Sequence, residues 1–153
     1  MGTLSTQVMD TANGLPAVGM SFQLESITGG VRRQLRRGVT NADGHTDVLL
    51  AGADMASGIY ELHLEVAAYF RARGMAQEDP PFLDVVTVRF GIADAGVNHH
   101  LPLQVSPWSY STHRSRYVRA FSRFLQRCLL KRQGLPIDGG CGGCGGCGGC
   151  CFI

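Results

Sequence analysis

The sequence predicts an all-β sandwich followed by a C-terminal segment of different character. Three observations carry that expectation. Short runs of period-2 alternation, rich in β-branched and aromatic residues, recur from residue 4 to residue 112. Clusters of Gly, Asn, Asp and Pro separate the runs, and after Arg114 the apolar spacing becomes helical.

In chain order, the alternation predicts strands near 4–10, 18–25 and 31–39, and a short one near 46–49. Others follow near 59–66, 83–92, 99–105 and 109–113. Asn13-Gly14, Gly29-Gly30 and Asp43-Gly44 read as turns, because glycine reaches the left-handed backbone conformations that tight reversals require. In the run from Ile59, residues Tyr60, Leu62, Leu64 and Val66 share one face and Glu61, His63 and Glu65 the other, which predicts a core face and a solvent face. The segment from Ala67 to Arg73 reads as a short helix ended by Gly74.

With 153 residues, 44% of them hydrophobic, the chain suits one domain with a real core. No apolar run approaches the roughly 18 residues of a membrane-spanning helix, and no basic-then-apolar N-terminal leader is visible, so neither spanning nor export is expected. Residues 1–113 hold 7 Lys+Arg against 11 Asp+Glu, a net −4, whereas residues 114–153 hold 7 against 1, a net +6. All six cysteines lie in the second part, so the sandwich must hold by packing alone, which fits a reducing, cytoplasmic setting.

More specific signals lie in five segments. They are L-S-T-Q-V-M-D-T-A-N-G-L-P-A (4–17), T-N-A-D-G-H-T-D (40–47), Y-F-R-A-R-G (69–74), F-L-D-V-V-T-V-R-F-G-I-A-D (82–94) and H-L-P-L-Q-V-S-P-W-S-Y-S-T (100–112). In order and spacing they resemble the 5-hydroxyisourate hydrolase branch of the transthyretin superfamily. The resemblance implies a transthyretin-like two-sheet β-sandwich with one short helix over residues 1–114, assembled as a homotetramer with active sites in the channel between dimers. It also implies a small purine-derived substrate, no cofactor and no nucleic-acid partner. The implied reaction is hydrolysis of 5-hydroxyisourate to 2-oxo-4-hydroxy-4-carboxy-5-ureidoimidazoline in urate degradation.

Opening a neutral lactam with water needs a base for the water and donors for the oxyanion that forms. The resemblance assigns these roles to a first-strand histidine, an arginine after the Asp-Gly turn and a histidine before the penultimate strand, helped by a Tyr-Arg-Gly-Ser ending. At those positions this chain has Gln7, His45 and His100, and its ending reads His113-Arg114-Ser115-Arg116. The candidate catalytic residues are therefore His100, His45 and Gln7, with Ser111, His113 and Arg114 as substrate contacts. Glutamine donates and accepts hydrogen bonds but takes up no proton near neutral pH, so base work falls to His100 or His45 and Gln7 positions water. Losing one acid–base participant costs ~10²- to 10⁴-fold in rate, which leaves open an impaired relative that binds small molecules or serves as a scaffold. A three-imidazole zinc set from His45, His100 and His113 lacks tight ligand spacing, and no metal is expected.

Beyond the sandwich, Tyr117, Phe121, Phe124 and Cys128 fall on one stripe with Arg119, Arg123, Arg127 and Lys131 beside it, predicting a basic amphipathic helix over 115–133. Gly134 and Pro136 stop that pattern, and the Gly-Gly-Cys repeat within 134–153 cannot bury a core and reads as disordered. The final Cys150-Cys151-Phe152-Ile153 fits a prenylation signal, which makes Cys150 and Cys151 candidate lipidation sites and the basic tail a candidate membrane-surface contact. A neutral low-complexity tail and a Cys-x-x-Cys zinc site are the other readings of the repeat. No peroxisomal Ser-Lys-Leu ending is seen.

Overall fold

The computed structural model describes residues 2–114. The expected helix over 115–133, the Gly/Cys segment over 134–153 and the lipidation candidates Cys150 and Cys151 lie outside them. The described residues form β1 (Thr3–Asp10), β2 (Leu15–Pro16), β3 (Ser21–Thr28), β4 (Val31–Val39), β5 (Leu50–Ala51), β6 (Gly58–Glu65), α1 (Val66–Ala72), β7 (Val85–Ile92), β8 (His99–Val105) and β9 (Tyr110–Thr112). Two sheets result. One has the order β2-β1-β8-β9, with β5 also on β1, and the other the order β4-β3-β6-β7. No helix among the described residues is long and apolar enough to cross a membrane.

Alternation explains the core. Leu4 and Val8 from β1 and Leu101, Leu103 and Val105 from β8 meet Phe22 and Leu24 of β3 and Tyr60, Leu62 and Leu64 of β6 between the sheets. Each such aliphatic side chain, taken fully out of water, contributes about 1.5–3 kcal/mol. Helix α1 adds Val66 and Phe70 to this cluster, and Gly74, at φ +75°, lets Met75 N–H reach back to the Phe70 carbonyl at 3.1 Å and end the helix. The D-T-A-N-G motif also has a structural cause. The buried Asp10 carboxylate accepts from Asn13 N–H at 3.0 Å, from Asn13 Nδ2 at 2.7 Å and from Tyr69 Oη at 3.2 Å. Burial, with the Asp10 charge second, pushes the Tyr69 phenol up to about 12.

Three expectations change. The second strand runs Ser21–Thr28 rather than 18–25, because Gly19 at φ +76° turns the chain before it and the Gly29-Gly30 hairpin carries pairing to Thr28. The strand expected near 46–49 is an irregular stretch beside β1. There Thr46 N–H bonds Thr6 O and Leu49 N–H bonds Leu4 O, so three residues span two of β1 and the ladder breaks before β5. The face of Glu61, His63 and Glu65 is not uniformly solvated. Glu61 is 4% exposed, held by Arg32 Nε at 3.0 Å, with His63 and Arg89 beside it. The Arg32 hydrogen bond holds the Glu61 carboxyl below its usual range.

Candidate active site

The site lies on the outer face of the β1–β8 pair, the one parallel pairing among the described strands. Its register sets Ser5 opposite His100, Gln7 opposite Pro102 and Met9 opposite Gln104. Because Leu4, Thr6 and Val8 face inward, Ser5, Gln7 and Met9 must face outward, alongside His100, Pro102 and Gln104. On the other edge of β1, Gln7 forms an antiparallel bridge with His45. The three candidate catalytic residues, far apart in sequence, are therefore neighbours.

His100 is only 2% exposed, and its Nδ1 lies 2.9 Å from Ser5 Oγ. Nε2 is thus the nitrogen left for chemistry. Desolvation holds the His100 imidazole below its ordinary value of 6.5, with the nearby His45 and His113 acting in the same direction and a hydrogen bond to the Ser5 backbone acting against them. A neutral imidazole at neutral pH is the form a general base requires. The neighbouring His99 has a different task, since its Nε2 pairs with the Asp94 carbonyl at 2.8 Å.

His45 sits where it does because of turn chemistry. Asn41 Oδ1 accepts from the N–H groups of Asp43 and His45, each at 3.0 Å. Gly44 adopts φ +71° so close to β1 that a Cβ there would stand 2.3 Å from the Val8 carbonyl. Only glycine fits. Gln7, 7% exposed, donates from Nε2 to the Asp43 carbonyl at 3.2 Å and so ties this turn to the strand. The His45 and His100 rings are 6.1 Å apart between centroids, a spacing at which one water can hydrogen-bond to both.

Ser111 lies on β9 opposite Gln104, which places it on the same face as His100. Ser111, His113 and Arg114 are exposed, and His113 is near enough to His100 to oppose its protonation. Ser5 and Asn41 were not among the residues singled out from sequence. The i, i+2 relation of Ser5 to Gln7 and the Asn-x-Asp-Gly spacing are the signals that find them. Among the described residues, the convergent set of metal-ligand atoms is Glu25, Glu61 and His63, on the other sheet, where Arg32 already supplies positive charge.

Comparison with known proteins agrees with this fold. The profile of the HIUase/Transthyretin family matches residues 4–115. A 5-hydroxyisourate hydrolase from Ralstonia nicotianae is 50% identical over 115 residues, covering 74% of this chain and 98% of that protein. Among solved structures, an (S)-allantoin synthase superposes with a TM-score of 0.71 at 36% identity, over 74% of this chain but 43% of that longer one. A 5-hydroxyisourate hydrolase from Klebsiella pneumoniae superposes with a TM-score of 0.63 at 31% identity, over 75% of this chain and 99% of that one. With two sheets and one short α-helix among the described residues, and a family match across nearly all of them, the chain belongs to the HIUase/transthyretin family.

Proposed function

We propose that this chain hydrolyses 5-hydroxyisourate to 2-oxo-4-hydroxy-4-carboxy-5-ureidoimidazoline, with His100 as general base. The observation that carries this is the buried His100 ring, engaged at Nδ1 and kept neutral by its surroundings. A water between His100 and His45 gives its proton to Nε2 as its oxygen attacks the lactam carbonyl. The C–N bond then breaks, and the proton passes from the imidazolium to the departing nitrogen. His45 and Gln7 orient the water, and Ser111, His113 and Arg114 contact the substrate. Arg114 brings a fixed positive charge suited to the oxyanion.

Assembly belongs to the same proposal. Among the described residues the outer edges of β7 and β9 are unpaired, Val85 and Tyr110 on them are exposed, and so is Trp108 just before β9, which supports pairing between copies into a homotetramer. Light scattering on the full chain tests the mass. The net +6 of residues 114–153 supports contact with an anionic membrane surface, tested by sedimentation with vesicles containing phosphatidylserine.

Gln7 favours a second reading, in which the fold binds a small molecule without turning it over, because its amide accepts no proton near neutral pH. One assay separates the two. Freshly made 5-hydroxyisourate is mixed with the protein and its absorbance decay compared with buffer. Acceleration supports the hydrolase, and decay at the buffer rate sinks it. Recovery of activity in a Gln7→His, His45→Arg double variant of an inactive chain would then locate the defect at those two positions.

A further inference from the structure

We propose that Ser5 is the positioning residue of His100, its hydroxyl accepting from Nδ1–H so that Nε2 faces the reaction with its lone pair free. The inference deepens the hydrolase reading and, for its role in turnover, rests on it. The parallel register sets the two residues directly opposite each other, and Oγ lies 2.9 Å from Nδ1. Among the described residues the hydroxyl is the side-chain partner of Nδ1, and its oxygen can accept in both states the base passes through. Neutral His100 with hydrogen on Nδ1 donates to it, and so does the imidazolium formed once Nε2 has taken the proton. Were the hydroxyl to donate instead, hydrogen would sit on Nε2 and the ring could not take a proton from water. Ser5 lies on the same strand face as Gln7, so β1 both orients the base and lines the space beside it.

Nitrogen NMR of the full ¹⁵N-labelled chain at pH 7.5 reads the tautomer directly, with His100→Ala assigning the signals. The wild type is expected to show His100 protonated at Nδ1 and bare at Nε2. Ser5→Ala and the near-isosteric but weakly accepting Ser5→Cys are expected to move the ring toward the Nε2–H form, and Ser5→Thr to restore it. In turnover, Ser5→Ala is expected to lose about five- to tenfold in kcat, the worth of one hydrogen bond, with KM little changed and with recovery in Ser5→Thr. A wild-type ring protonated at Nε2 overturns the assignment. An unchanged tautomer in Ser5→Ala also overturns it, placing the hold on the ring in the Ser5 main chain. Because the tautomer is read without turnover, the expected spectra from a chain that leaves 5-hydroxyisourate untouched refute the hydrolase reading alone and support the Ser5 assignment.

Discussion

Replacing His100 with alanine removes the base and little else. The imidazole is buried with Nδ1 taken up by Ser5, so Nε2 is the nitrogen that acts on water, and the His45 ring has its centroid 6.1 Å away. His45 comes from the opposite edge of β1 and cannot take the place of Nε2 without moving the turn that Gln7 and Asn41 hold. The expected loss is therefore that of a general base, ~10²- to 10⁴-fold in kcat, or about 2.7–5.5 kcal/mol of transition-state stabilisation. KM should change by less than about threefold, since the interaction lost belongs to the transition state. The assay follows absorbance decay of freshly generated 5-hydroxyisourate at pH 7.5, over a substrate range and with the buffer rate subtracted. Stability should fall by only about 1–3 kcal/mol, because one buried ring and one hydrogen bond are lost, and urea unfolding verifies that the variant remains native. A folded His100→Ala protein with wild-type kcat would refute the assignment of His100 as base.

Three further outcomes follow from particular contacts. The acid limb of kcat/KM should lie below 6.5, because His100 must be neutral to act and its folded pKa is depressed. The same depression costs stability as pH falls through 6.5, where the unfolded chain binds a proton that the folded site resists, so unfolding midpoints should rise with pH across that window. Gly44→Ala drives a methyl group to 2.3 Å from the Val8 carbonyl at φ +71°, and should destabilise by about 2–4 kcal/mol in urea while lowering activity through the displaced His45. A stable, fully active Gly44→Ala protein would show that the turn can relax. Asp10→Ala strips the acceptor from Asn13 and Tyr69 and should cost about 3 kcal/mol in the same measurement, with the phenol of Tyr69 titrating below its present value of about 12 once the nearby carboxylate is gone. A Tyr69 absorbance titration unchanged from wild type would contradict that account.

Much of this architecture is written locally. Period-2 alternation in residues 31–39 and 99–105 marks β4 and β8 at their observed bounds, since which face a strand residue takes depends only on its position in the pleat. Asn13-Gly14, Gly29-Gly30 and Asp43-Gly44 mark reversals because positive φ is a property of single residues, and all four glycines adopt it. The candidate site was legible through resemblance instead, since Gln7, His45 and His100 occupy the motif positions that the family pattern marks. Their meeting was not. Strand β1 pairs in parallel with a strand more than ninety residues later, and that register alone sets Ser5 against His100. Glu61 likewise sits on the face its parity demands, yet Arg32 from β4 and Arg89 from β7 cover it, which alternation along β6 cannot foresee. Sequence by itself determined most of the strands and the glycine turns, because these follow from short-range backbone geometry, while the residue types at the site came from the resemblance of its motifs to a family pattern. The tertiary structure alone set Ser5 Oγ against His100 Nδ1 and made the ring less basic, because hydrogen-bond partners and desolvation come from groups that meet only after the chain has closed on itself.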